Sequence, residues 1–189
     1  MTTPRITPLP ITALRPEWEA TMARIPGKGL KGENAPVNVV GTLMHAPNTL
    51  GTFLEYWVTA KQVMSLSVRE QELVILRMGV LYDSEYVWRH HVPVAEEFGV
   101  TAAEMDGVLA GTYDVFVSPR ERALLVLTDE IVERRTIGDA AWEAYGSQLP
   151  TDTMLELIGL VSQYVLFAVT NNVYRVALEA PMLPIRGLR

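Results

Sequence analysis

The chain has 189 residues, 49% of them hydrophobic, which is enough apolar material for one substantial core and makes a single domain the default. Sixteen basic residues stand against 22 acidic ones, a net charge of −6, and no basic run or basic patch interleaved with aromatics is present, so a nucleic-acid partner is not expected. There is no cysteine, which excludes disulfides and thiolate metal sites, and the three histidines show no ligand spacing, so neither a structural metal nor a metal cofactor is expected.

The opening, MTTPRITPLPITALRPEWEA, lacks the charged start and continuous apolar run of a secretory signal, and a cytoplasmic location is the expectation. Residues 1–36 hold six of the twelve prolines, with glycines in IPGKGLKGENAP. Repeated X-Pro steps favour extended backbone, which predicts an arm carrying at most a short helix near Glu17 to Arg24. The helical domain is then expected over 37–180 and a short tail over 181–189.

A short helix from Asn38 to Met44 leads to His45-Ala46-Pro47. Pro47 suits the first turn of a helix over Asn48 to Met64, where Leu50, Phe53, Leu54, Trp57 and Val58 form an apolar stripe. His45 at this junction has two readings, a helix-end residue satisfying backbone or a residue near a binding pocket.

The most informative stretch is SVREQELVILRMGVLYDSEYVWRHHVPVAEEFG, Ser67 to Gly99. It reads as two helices joined by a tight polar turn. Ser67 and Glu70 make a capping box at the start of the first. Leu73, Val74, Ile75, Leu76, Met78, Val80 and Leu81 then cover nearly its whole circumference, the pattern of a helix surrounded by protein. Glu72 sits in that run, and a buried carboxylate needs a partner; Arg69 and Arg77 are the structural candidates. The second helix, about Ser84 to Phe98, has an apolar seam of Ser84, Val87, Trp88, His91, Ala95 and Phe98, which points His91 inward. His90 is predicted nearer Glu97 and solvent. Pro93 cannot donate to the carbonyl of Arg89, so a bend is expected beside the inward imidazole. A carboxylate and an imidazole facing each other across two packed helices would make an acid–base pair.

Gly99 suits a helix stop, Thr101 and Glu104 form a second capping box for a helix to about Leu109, and Gly111 to Val117 reads as a loop that could rim a pocket. Ser118, Pro119 and Glu121 open a helix to about Arg135. A shorter helix, Asp139 to Tyr145, is expected to turn Trp142 inward. Thr151 and Asp152 open a last helix to about Glu179, ~40 Å long. Its most apolar part, Leu157 to Val169, falls short of the ~20 residues that cross a bilayer, so no membrane association is expected. Tyr164, Asn171 and Arg175 share one stripe of that helix as candidates for interface hydrogen bonds or for anchoring a substrate carboxylate or carbonyl.

The run REQELVILRMGVLYDSEYVWRHHVPVAEEFGVTAAEMDGVLAG resembles the core of the carboxymuconolactone decarboxylase family, which includes the alkyl hydroperoxidase D (AhpD)-like proteins. The peroxidase branch has a glutamate on the first helix and a C-x-x-C-x-x-x-H motif on the second. Glu72 matches the glutamate and His91 the histidine, while Ser84 and Val87 occupy the two cysteine positions. Peroxide reduction by that branch runs through a thiolate and a resolving thiol, so thiol peroxidase activity is rejected.

The resemblance implies an all-α, AhpD-like fold of six to eight helices and assembly as a homo-oligomer, a dimer, trimer or hexamer. It implies a cofactor-independent lyase or decarboxylase acting on a small organic acid or lactone, with His91 and Glu72 catalytic and Ser84, Tyr86, Val87 and His45 lining the substrate site. Two alternatives stand beside it: a binding or assembly protein of the same fold without chemistry, and a related lyase or isomerase acting on an aromatic catabolite.

Overall fold

A computed structural model describes residues 3–24 and 35–188; the glycine-rich part of the predicted arm, 25–34, lies outside the described residues. Among these the architecture is all-helical, as expected. Nine α-helices follow in order: α1 (Pro16–Met22), α2 (Val37–Leu43), α3 (Pro47–Val63), α4 (Val68–Leu81), α5 (Glu85–Glu97), α6 (Ala102–Ala110), α7 (Pro119–Arg134), α8 (Asp139–Ala144) and α9 (Thr151–Tyr174). The chain divides into two compact units, one of residues 3–24, 35–63 and 169–185, the other of 64–168 and 186–188.

In the first unit the N-terminal strand of chain is tied down by backbone. The amide of Leu9 donates to the carbonyl of Gly41, and the amide of Arg5 to that of Tyr174. The side chain of Trp18 in α1 is buried against α3 at Gly51, where an added Cβ would come within 2.7 Å of the indole nitrogen. Arg24 pairs with Glu55 at 2.6 Å, and Asn38 donates to Glu179 and to the carbonyl of Ala177.

In the second unit α4 is the centre, with α5, α6 and α7 packed against it. Its capping box forms as the sequence predicts, with Ser67 accepting from the amide of Glu70 and Glu70 accepting from the amide of Ser67. Every residue from Glu70 to Gly79 is buried. The turn to α5 is made by Tyr82 and Asp83, the latter at φ 48°, a left-handed conformation that aspartate tolerates. The two helices approach closely at Gly79, where a Cβ would lie 3.2 Å from the Trp88 amide nitrogen and 3.4 Å from its Cα. Gly99 (φ 81°) and Gly111 (φ 68°) take the left-handed backbone after α5 and α6.

Arginines fasten α4 to its neighbours at both ends. Arg69 reaches Glu121 of α7 at 2.8 Å, Glu104 of α6 at 2.5 Å and the Gly99 carbonyl at 2.5 Å. Arg77 reaches Asp129 of α7 at 2.6 Å and the Val108 carbonyl at 2.8 Å, and Tyr113 donates to the second oxygen of Asp129 at 2.6 Å.

Three expectations need correction. The last helix stops at Tyr174, not Glu179, because Arg175 turns left-handed at φ 53°, and Arg175 therefore does not continue the stripe of Tyr164 and Asn171. At 24 residues, α9 is long and apolar enough to cross a membrane by length and composition, and half of that apolar window is buried within the chain. Trp142 is 44% exposed rather than inward, its ring lying over Gly146.

Candidate functional site

The face of α4 that meets α5 carries Glu72 and, two turns later, Gly79. Because Gly79 has no side chain, the start of α5 can sit against α4 at Trp88, and one turn further along α5 brings His91 opposite Glu72. The result is a contact of 2.5 Å between His91 Nδ1 and Glu72 Oε2. The carboxylate is almost wholly enclosed, its side chain 1% exposed, whereas the imidazole is 17% exposed.

The two arginines that could have neutralised Glu72 are engaged elsewhere, Arg69 with Glu104 and Glu121 and Arg77 with Asp129. The imidazole of His91 faces Glu72 instead. A carboxylate this deep is destabilised by loss of hydration unless a donor faces it, and a ring N–H pointing at an oxygen at this distance is a strong, charge-assisted hydrogen bond when either group is ionised. Glu72 also fixes the ring's orientation, leaving Nε2 as the nitrogen that can exchange a proton with anything else.

Nε2 meets the hydroxyl of Tyr164 on α9 at 3.2 Å. The two rings are nearly perpendicular, at 79° with centroids 5.2 Å apart, and Phe167 flanks the phenol at 5.6 Å. Sequence reasoning picked out Tyr164 as polar on an apolar helix but gave no link to His91, since the two are 73 residues apart.

Ser84 and Val87 lie seven and four residues before His91 on α5, on its side of the helix. Both are buried, and the Ser84 hydroxyl is without a hydrogen-bond partner. Tyr86 belongs to a different face: its ring stacks on His90 at 4.3 Å. That pairing corrects the expectation for His90, which is buried and not turned to solvent. The predicted seam also ends early, because Phe98 is 43% exposed. α5 continues as helix through Pro93 to Glu97. His45 belongs to the other unit, where it is exposed and its Nε2 lies 3.0 Å from the Thr7 carbonyl.

Among the described residues no group of three or more His, Asp or Glu side chains is arranged to hold a metal ion. A surface groove of about 350 Å³ is lined by Ala103, Asp106, Gly107, Ala110, Thr112, Asp114 and Val115, none of them a predicted site residue. Away from His91, ionisation follows local contacts. Burial and the hydrogen bond to Asp129 push the Tyr113 phenol well above its ordinary range. Burial works to raise Glu104, but the Thr101 amide and hydroxyl and the Arg69 guanidinium together hold it below the usual carboxylate value.

Residues 47–130 match the carboxymuconolactone decarboxylase family, a segment that contains both Glu72 and His91. The matched segment, like the rest of the sequence, contains no cysteine. No curated protein matches the sequence significantly. Among solved structures, an AhpD-core, peroxidase-related protein of Ralstonia eutropha JMP134 superposes with a TM-score of 0.79 at 15% identity, covering 98% of this chain and 97% of that one. The debrominase Bmp8 in complex with 2,3,4-tribromopyrrole gives 0.73 at 13% identity, over 96% and 95%. A peroxidase-related protein of Silicibacter sp. TM1040 gives 0.69 at 14% identity over the full length of both chains. At these identities the likeness establishes the AhpD-like fold.

Proposed function

On the premise that residues 47–130 are a carboxymuconolactone decarboxylase family core, we propose that this protein is a cofactor-independent lyase or decarboxylase of small organic acids or lactones, in which His91 carries the proton and Glu72 orients and charges it. The observation that supports this reading above all is the 2.5 Å contact between an enclosed carboxylate and a partly exposed imidazole. Thiol peroxidase chemistry is unavailable to a chain without cysteine.

Loss of CO2 breaks a carbon–carbon bond and leaves its electron pair on carbon as a carbanion or dienolate. That intermediate needs a proton, and an imidazolium held by Glu72 can supply one and be recharged from water near neutrality. The buried Ser84 hydroxyl supports the same reading, because an enclosed donor without a protein partner is costly unless a ligand or water completes it. Val87 would give the site an apolar wall. We take the active species to be a cytoplasmic homo-oligomer.

The test is turnover on a panel of keto acids and carboxylated lactones by wild type, His91→Gln and Glu72→Gln. The expected loss in His91→Gln is roughly 10²- to 10⁴-fold in kcat. A folded His91→Gln protein with wild-type rates would remove His91 from the mechanism. A small molecule bound without turnover, and with affinity indifferent to these substitutions, would favour the binding-protein alternative.

A further inference from the structure

Three groups lie in a line of hydrogen bonds: the Glu72 carboxylate on Nδ1 of His91, the imidazole, and the Tyr164 hydroxyl on Nε2. Carboxylate, imidazole, hydroxyl is the order in which an acid–histidine pair works on an alcohol. Here the hydroxyl is a phenol, whose ordinary pKa of about 10 makes its proton far easier to move than that of an aliphatic alcohol.

We propose that Tyr164 is the third proton-carrying residue of the site and the one that exchanges a proton with substrate, with His91 reloading it. This rests on the acid–base reading above and moves the substrate contact one residue along the line. The burial of the three groups favours it. Glu72 and Tyr164 are each 1% exposed, while the His91 side chain is 17% exposed. Water reaches the imidazole and is kept from the phenol, which sits among buried Leu160, Val161, Phe167 and Ala168 of its own helix. A proton therefore enters at the imidazole and is delivered at the phenol, where bulk water does not compete for a carbanion.

The step balances. When CO2 leaves a small carboxylate whose carbanion is stabilised by a neighbouring carbonyl, the phenol proton goes to the carbanion carbon and the O–H bond breaks. The phenolate takes the Nε2 proton of the imidazolium, leaving neutral imidazole with its Nδ1 proton toward Glu72. Water then returns one proton to the ring, so one proton is consumed for each CO2 released.

Tyr164→Phe retains the ring that packs on Phe167 and removes only the hydroxyl. The first measurement needs no substrate: the pH titration of the His91 ring, followed by NMR in wild type and in Tyr164→Phe. A phenol oxygen accepting from a charged ring N–H stabilises the imidazolium more than a phenol donating to the neutral ring stabilises that form, since charge-assisted hydrogen bonds are about twice as strong. Removing the hydroxyl is therefore expected to lower the His91 midpoint by about half a pH unit or more, roughly threefold in proton affinity. An unchanged midpoint overturns the proposal. On the substrate panel, Tyr164→Phe should lose roughly 10²-fold or more in kcat with KM little changed. Wild-type kcat in Tyr164→Phe together with an inactive His91→Gln overturns the role of Tyr164 and leaves the role of His91 intact. Wild-type rates in both overturn both. Should His91→Gln fail to fold, Glu72→Gln, with the imidazole and phenol retained, takes its place on the substrate panel.

Discussion

Replacing His91 by alanine removes a donor that faces an almost wholly enclosed carboxylate, and the arrangement around Glu72 sets the cost. Arg69 and Arg77 are held at 2.5–2.8 Å by other carboxylates, so neither is free to turn to Glu72 without breaking a pair of its own. Removing one partner of a buried pair typically costs ~3–5 kcal/mol, because the charge left behind loses much of its compensation. For a chain of this size that corresponds to roughly 6–20 °C in Tm. The loss should depend on pH with a definite sign. Protonating Glu72 abolishes the buried charge, and in the variant the folded state holds that proton more tightly than the unfolded chain does, so His91→Ala should regain stability as the solution is acidified. Glu72→Gln leaves a neutral amide facing the ring and should cost less, ~1–3 kcal/mol. The double variant Glu72→Gln/His91→Ala should be more stable than the sum of the two losses predicts. Urea unfolding at pH 7 and pH 5 measures all four proteins. A His91→Ala loss below ~1 kcal/mol that is the same at both pH values would refute the reasoning, because Glu72 would then have to be neutral, hydrated or held by a group other than His91 in the folded chain.

Other interactions give independent checks. Arg69→Ala should destabilise by ~2 kcal/mol, and Arg69→Lys should recover only part of that, since an ammonium cannot serve Glu121, Glu104 and the Gly99 carbonyl together as the guanidinium does. Glu104 has its folded-state pKa lowered, so its contribution is full above the unfolded carboxylate value and is lost as pH falls through the folded one; acid unfolding curves of Arg69→Ala should be flatter than those of wild type. Tyr113 is shifted the other way by burial and Asp129. The unfolded chain ionises first above about pH 10, stability falls there, and Tyr113→Phe should flatten that alkaline decline while costing ~1 kcal/mol at neutrality. Gly79→Val should cost at least ~2 kcal/mol in urea unfolding, because its Cβ already meets Trp88 backbone at 3.2 Å and its methyl groups have nowhere to go.

What the sequence revealed follows the range of the interactions that decide each feature. Helix starts at Ser67, Thr101 and Ser118 were legible because the cap and its partner lie within three residues of each other. The inward placement of Glu72 and His91 was legible from helical spacing, and their pairing from the resemblance to a known core. The faces of His90, Phe98 and Trp142 were misread. Periodicity divides a helix into two sides, whereas α5 has Tyr86 and His90 buried on one part of its surface and Ser84 and Val87 buried on another, beside the partly exposed His91. The end of α9 was missed because Tyr174 and Arg175 carry no glycine or proline signal; the reversal is made by the Val176 amide bonding back to the Asn171 carbonyl. Tyr164 was visible only as a polar residue on a greasy helix, since nothing local specifies a partner on another element.

The energetics of the α4–α5 contact bear on whether such a site persists without chemistry. An enclosed carboxylate facing an imidazole is rarely the most stable filling for a space between two apolar helices; hydrophobic side chains of similar volume are often neutral or stabilising by ~1–4 kcal/mol. Around Glu72 the alternatives are at hand, since Leu73, Val74, Ile75 and Leu76 follow it directly and are buried without polar atoms to satisfy. Ser84 adds an enclosed hydroxyl without a partner on the same face as His91. A helix pair selected for packing alone would gain stability by replacing these three with leucine or alanine. Glu72→Leu/His91→Leu should accordingly fold, with stability equal to or above that of the wild type, and be devoid of turnover. If that variant were markedly less stable, the carboxylate–imidazole pair would be a structural element in its own right, and its presence would carry no implication of catalysis.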